Sequence, residues 1–512
     1  MIDHGIGSWP HRRARMEPHA IALVQDERRL DYAGLAERTN ALAAALAELG
    51  VGKGDRVAYL GPNDIATFET LFATTHLGAI FVALNTRLAA PEIAFMLDDS
   101  APTVFVIAPE SEHIGIDAIT QATARPHVLP LRVDAGTSMY ERAISEHARR
   151  TPPRTPVNLD DPALILYTSG TTGRPKGAVL THGNITWNTL AQFAHFSLSR
   201  DDVNLCSAPL FHVLGLGQIT LPTLYAGGTV VVIPKFEPRD FLATIEREKA
   251  TAFPLAPTML QMLCELPDWG DADTSSLRVV AFGGSPVLER VATAWLARGI
   301  QVLQGYGMTE AAPGVLMALT HGAHAHPLSA GVPHFFTDVA LLTGERNIVE
   351  GPGQGELLVK GPNVFSGYWH RPEATRQAFI DGWFRTGDIV RIDDDGWAHI
   401  VDRVNDMIIS GGENIYPAEV EAAITQLDSV GDCAVLAVPD EQWGEVGLAF
   451  IVLRRGHAPD EQAIRAHLEA NLARYKIPKY FVYREDLPRN ATGKIQRLKL
   501  REDARHTLQP AP

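Results

Sequence analysis

Apolar and polar positions alternate with two different periods along this chain. Leu35, Leu42, Leu46 and Leu49 fall at helical spacing, with Asp31 ahead of them and Gly50 behind. An Asp cap and a Gly terminator predict a helix over 35–49 that buries one face. A strand is predicted at 56–60, a helix near 66–76 and a strand at 79–84. Further strands are predicted at 103–107, 163–167, 229–233 and 277–281, separated by helical segments. Strands that alternate with helices predict an α/β fold with mainly parallel sheets covered on both faces.

From about Gly351 the period shortens. The segments 356–360, 388–392 and 397–401 read as strands between Gly/Asp turns, which predicts a β-rich subdomain over about 351–402. Asp393-Asp-Asp-Gly396 reads as a turn of solvated charge. After Asp402 and Arg403 a smaller α+β unit is expected, with a helix at 417–426, a strand at 432–438 and a helix near 460–474. The expected division is a large N-terminal domain, 1–402, and a small C-terminal domain, 403–512.

At 512 residues, 46% of them hydrophobic, the chain can bury more than one core. Its 45 basic and 60 acidic residues give a net charge of −15, which argues against nucleic acid or an anionic membrane as main partner. An anionic ligand then needs a locally basic or N–H-rich site. Cys206, Cys264 and Cys433 form no metal pattern and fit a reducing, cytoplasmic location. Residues 1–16 are polar and basic, unlike a secretory signal, and no apolar run is long enough to predict an integral membrane span.

One segment carries more chemistry than the rest. Thr168, Ser169, Gly170, Thr171, Thr172, Gly173, Arg174, Pro175, Lys176 and Gly177 follow the apolar run 163–167. Glycines let backbone N–H groups approach an anion, and the hydroxyls and Lys176 add donors and charge. The loop suits a polyphosphate, and its spacing is not that of a Walker A motif. Downstream come Gly305-Tyr-Gly-Met-Thr-Glu310, Arg385-Thr-Gly-Asp388, Asp402-Arg403 and Arg489-Asn-Ala-Thr-Gly-Lys494. In this order, over about 31–500, the motifs resemble those of the adenylate-forming (AMP-binding) superfamily. That superfamily includes acyl- and aryl-CoA ligases. The texture around 7–10, 181–187 and 305–313 looks most like bacterial feruloyl-CoA and medium- to long-chain fatty-acyl-CoA ligases.

The resemblance implies ATP-dependent activation of a small carboxylic acid to an acyl adenylate, with release of pyrophosphate, and then transfer to CoA. A carboxylate needs no general base to attack phosphorus. Catalysis should therefore rest on positioning and electrostatic stabilisation. By resemblance, residues 168–176 wrap the ATP phosphates, and Thr168 and Glu310 help hold Mg²⁺, which favours oxygen ligands. Tyr306 would stack on adenine between Gly305 and Gly307, with Gly283, Gly284 and Ser285 on the other side. Asp388 and Arg403 would bind the ribose. Thr309 is assigned to ATP binding and catalysis. Lys494 alone reads as a solvated lysine, but in its matched position it would bridge the acyl carboxylate and the α-phosphate.

His212 lies in an apolar segment, Pro209-Leu-Phe-His-Val-Leu214. A lone His there reads as structural on its own, whereas the resemblance places it at the acyl pocket with Phe211, Leu216, Gly305, Gly307 and Met308. No acidic residue stands near it in sequence, which argues against an amino-acid substrate. Gly411 and Gly412 would line a tunnel for the CoA thiol arm, and Lys476 in the basic run 474–479 would meet CoA phosphates. The family's small domain rotates between half-reactions, and Asn405 occupies the pivot, where Asp or Lys is usual. A homodimer is admitted. The competing expectations are a ligase that loads a carrier protein and a nucleotide sensor without chemistry.

Overall fold

The computed structural model describes residues 3–134, 136–168, 174–283, 289–319, 322, 326, 329–344, 346–403, 407–488, 495 and 497–508. Two large sheets dominate. One orders the strands Gly367–Tyr368, Lys176–Thr181, Pro162–Thr168, Ile80–Leu84, Arg56–Leu60, Val104–Ile107 and His127–Pro130. The other orders Val332–Pro333, Gly314–Met317, Gln301–Gly307, Val279–Gly283, Ala252–Leu255, Val203–Cys206, Thr229–Val232, Ile21–Gln25 and Arg28–Asp31. The inner strands of both run parallel, and the antiparallel pairs lie towards the edges.

The two-residue repeat of each strand sends its side chains to two different cores. Val57, Tyr59, Phe81, Ala83, Val104 and Val106 enter the large central cluster. Their neighbours Ala58, Leu60, Ile80, Val82, Phe105 and Ile107 enter an outer cluster with the helices Ala90–Ser100 and Glu112–Gln121. In the second sheet Val230 and Val232 face the centre, while Val231 packs outward against the helix Pro238–Glu248. Between the sheets lies the helix Ile65–His76, which touches strands of both and is buried from Ile65 to Thr75. The result is a five-layer stack, helix–sheet–helix–sheet–helix.

The helix expected at 35–49 spans Tyr32–Glu48, and Asp31 caps it by accepting from the Gly34 N–H at 2.7 Å. The strand expected at 277–281 lies two residues later, at Val279–Gly283. The β-rich region begins earlier than about 351, because Asp338–Thr343 already pairs with Gly353–Lys360. That antiparallel sheet continues through Trp383–Ile392 to Ala398–Arg403. A last sheet holds Glu413–Ile415, Ile408–Ser410, Gly444–Leu453, Val430–Asp440 and Tyr480–Arg484, with helices Pro417–Ile424 and Glu461–Asn471. No helix among the described residues is long and apolar enough to cross a membrane.

Candidate active site

Strands of both large sheets end at the same cleft, the usual place for ligands in parallel α/β sheets. Pro162–Thr168 delivers Thr168 there, and the antiparallel strand Lys176–Thr181 returns Lys176 directly opposite it. Ser169, Gly170, Thr171, Thr172 and Gly173 lie outside the described residues, as do Gly284, Ser285, Asn405, Lys494 and the Arg403 side chain. The Lys176 ammonium sits 5.3 Å from the centre of the Tyr368 ring, and the Tyr368 hydroxyl donates to Glu310 Oε1 at 2.8 Å. Burial raises the Glu310 carboxyl above its ordinary range, against the pull of Tyr368 and Lys176. A carboxylate with this deficit of positive charge suits a hard cation.

Gly283 and Gly305 are partners on neighbouring strands, and a Cβ on Gly283 would lie 2.9 Å from the Gly305 carbonyl. A Cβ on Gly307 would lie 1.9 Å from the Pro313 carbonyl oxygen. Close backbone packing therefore demands glycine at both positions. Between Gly305 and Gly307, Tyr306 projects to the third sheet, where its hydroxyl donates to Asp388 Oδ2 at 2.6 Å. Asp388 pairs across the ladder with Arg403. The turn before it is set by Glu356, whose carboxylate accepts from the Arg385 guanidinium at 2.6 Å and from the Gly387 N–H at 3.2 Å. Thr309 opens the short turn Thr309–Ala311 beside Met308, which packs with Phe211 against the central core.

The family profile described as AMP-binding enzyme matches residues 10–369, and the one described as AMP-binding enzyme C-terminal domain matches 419–494. The chain belongs to the AMP-binding enzyme family. It is 48% identical to a feruloyl-CoA synthase of Amycolatopsis sp., over 97% of this chain and 98% of that one. An indoleacetate–CoA ligase of Aromatoleum aromaticum is 40% identical, over 97% and 98%. Among solved structures, a Mycobacterium tuberculosis fatty acyl CoA synthetase superposes with a TM-score of 0.73 at 36% identity, covering 98% and 99%. This AMP-binding enzyme is an AMP-forming acyl-CoA synthetase that acts on a small carboxylic acid.

The hairpin Ile408–Ser410 to Glu413–Ile415 of the acyl-CoA synthetase docks at the cleft. At its tip Gly411 and Gly412 take φ of +56° and +84°, and a Cβ on Gly412 would stand 3.6 Å from the Ala256 Cβ. Glu413, next in line, accepts from His212 Nε2 at 2.9 Å and pairs through its other oxygen with Arg87. Burial alone would raise the Glu413 carboxyl, but His212, Arg87 and Lys476 together hold it below its ordinary range. The expectation that His212 lacks an acidic neighbour holds along the sequence and fails in space.

Two further expectations need correction. Lys476 cannot meet CoA phosphates in this arrangement. Its ammonium is 3% exposed, 2.6 Å from Glu92 and 2.8 Å from Glu419. A buried ammonium keeps its charge only with such partners. Leu216 is 2% exposed and packs into the central core, so it is not an open pocket wall. Arg87, Glu356 and Tyr368 stand in no motif that marks them in the sequence. Glu413 carried one available signal, a charged residue directly after a tight Gly-Gly turn, yet the motif by itself assigns it no role.

Proposed function

We propose that this synthetase activates a hydroxycinnamic acid of the ferulate type and transfers it to CoA. The reading is carried by 48% identity to a feruloyl-CoA synthase over nearly the full length of both chains. The aromatic acid in the name of the second relative supports an aryl-bearing substrate. In the first half-reaction the carboxylate attacks the ATP α-phosphorus and pyrophosphate leaves. In the second the CoA thiol loses its proton, its sulfur attacks the acyl carbonyl and AMP leaves.

Lys176 and the loop before it would hold the phosphates, and Asp388, oriented by Tyr306, would accept from the ribose hydroxyls. Glu310 and Thr168 offer the oxygen donors for Mg²⁺, which when bound neutralises phosphate charge. Lys494 would stabilise charge between the two reacting anions. The docked hairpin suits the second half-reaction. Gly411 and Gly412 leave backbone alone beside the cleft, so a narrow thiol arm can pass, while Glu413 fixes the His212 ring at the mouth. A pivot at Asn405 would exchange this arrangement for one that brings in Lys494.

A panel of ferulate, coumarate, benzoate, hexanoate and palmitate, assayed for AMP and for CoA thioester, tests the reading. Ferulate or coumarate should give the highest kcat/KM. A tenfold preference for an aliphatic acid would reject the hydroxycinnamate assignment, and AMP release without thioester would reject CoA as acceptor.

A further inference from the structure

The hairpin that carries Asp388 and Arg403 has a second cluster at its closed end. Asp393 opens the turn before Trp397. Its Oδ1 accepts from the backbone N–H groups of Trp397 at 2.8 Å and Asp395 at 3.1 Å, which fixes the carboxylate plane. Its Oδ2 is left to face two imidazoles, His399 Nε2 at 3.2 Å and His326 Nδ1 at 3.3 Å. His399 lies on the strand Ala398–Arg403, opposite Arg391. His326 comes from the segment after Gly314–Met317, and its ring stacks on Trp397 at 4.5 Å and 8°. Gly322 makes room for that stack, since a Cβ there would lie 2.0 Å from the Trp397 ring, and its carbonyl accepts the His326 N–H at 3.1 Å. The turn read from sequence as solvated charge thus holds an aspartate that is only 20% exposed, between two histidines of 18% and 20% exposure.

We propose that His326, Asp393 and His399 form a binding site for a divalent transition metal of the zinc class, separate from the nucleotide-associated cation. Two chain segments, the hairpin with Asp393 and His399 and the separate stretch with His326, bring together one ligand atom from each of three residues, all within 4.8 Å of one another. Zinc bonded at about 2.0–2.1 Å to tetrahedral N and O ligands sets neighbouring ligand atoms about 3.3 Å apart. The two nitrogen–oxygen separations already match that edge. Two imidazoles and one carboxylate favour zinc, cobalt or nickel over Mg²⁺, which prefers an all-oxygen shell. Partial exposure leaves a fourth position for water. The metal would tie His326 to the hairpin, whose strand runs on from His399 to Arg403, about 13 Å away. Its role is to brace the strand that leads to the pivot.

The test uses the untagged full-length chain, stripped with a chelator and titrated with Co²⁺, whose visible absorption reports tetrahedral N/O ligation. The wild type should bind a single equivalent, displaced by Zn²⁺ but not by excess Mg²⁺, and its thermal midpoint should rise by a few degrees with Zn²⁺. His326→Gln and Asp393→Asn should each weaken binding at least tenfold, and the double variant His326→Gln/His399→Gln should lose it. Midpoints measured in chelator show which variants fold. If the double variant does not, His326→Gln, altered outside any strand, carries the comparison. Failure of the wild type to bind Co²⁺ would overturn the site and leave a hydrogen-bonded His–Asp–His bridge. An undiminished equivalent in His326→Gln would overturn it too.

Discussion

Replacing Lys476 by Met tests the buried charge cluster most sharply. One ammonium serves two carboxylates, Glu92 from the helix Ala90–Ser100 and Glu419 from the helix Pro417–Ile424, and all three side chains are 7% exposed or less. Glu92 also accepts the Ala473 N–H at 2.9 Å, and among the described residues Glu419 Oε2 has no hydrogen-bond partner. Removing one member of a buried pair costs about 3–5 kcal/mol, because the remaining charges stay buried without compensation. Here two carboxylates are stranded, so the upper half of that range is expected at pH 7.5. Burial lowers the Lys476 pKa, but Glu419 and Glu92 outweigh it and the net shift is upward, so its contribution is full below its ordinary value and fades only as pH rises above about 10.5. Burial raises the Glu419 carboxyl, so that group costs stability as pH climbs past its ordinary value. The Met variant should therefore be most unstable near neutrality and recover towards pH 5 as Glu419 protonates. Calorimetry across pH, with hydrogen exchange at 473–476, reads both effects. A triple variant, Glu92→Gln/Lys476→Met/Glu419→Gln, should regain most of the loss. A Met variant as stable as wild type, with no pH dependence to its deficit, would refute the reasoning.

Glu413→Gln keeps the shape but removes the charge that meets His212 and Arg87. Both partners are more than a third exposed, so after screening about 1–2 kcal/mol of docking is expected to go. Thioester formation from supplied acyl adenylate should slow about 5- to 30-fold while pyrophosphate exchange is unchanged; equal loss in both assays would remove the hairpin from the second half-reaction. Since the Glu413 carboxyl is depressed, its pairing persists through neutrality and loosens only below its ordinary range, which an acid titration of thioester transfer would show. Gly307→Ala drives a methyl into the Pro313 carbonyl, so ATP affinity measured by calorimetry should fall sharply; unchanged affinity would mean the strand can shift. Lys494→Ala should lower adenylation about 100-fold or more and spare transfer from a preformed adenylate, in a paired single-turnover assay.

Elements defined by local period are legible in the amino-acid pattern alone. Asp31 caps its helix as its position implies, and Arg56–Leu60 occupies the expected residues, because capping and alternation act within a few positions. Motif order leads correctly to the family. What stays hidden depends on partners far along the chain. Glu413 and His212 are 201 positions apart, and Lys476 and Glu92 are 384 apart. A lysine in a basic run reads as solvated unless those carboxylates are known to converge on it. Leu216 misleads for a related reason, since an apolar residue beside a presumed pocket is indistinguishable in sequence from one packed behind its wall.

The interleaving of the two large sheets bears on how the polypeptide is made. Ile21–Gln25 emerges from the ribosome early, yet its parallel partner is Thr229–Val232, and the strands Arg56–Leu60, Ile80–Leu84, Val104–Ile107, His127–Pro130, Pro162–Thr168 and Lys176–Thr181, synthesised in the interval, belong to the other sheet. The helix Ile65–His76 needs both sheets to cover it. A nascent chain halted before Thr229 therefore displays an apolar strand paired only on its Arg28–Asp31 side and a half-covered helix, the kind of surface that aggregates or recruits chaperones. Protease sensitivity of arrested chains should drop abruptly once that partner strand has cleared the exit tunnel.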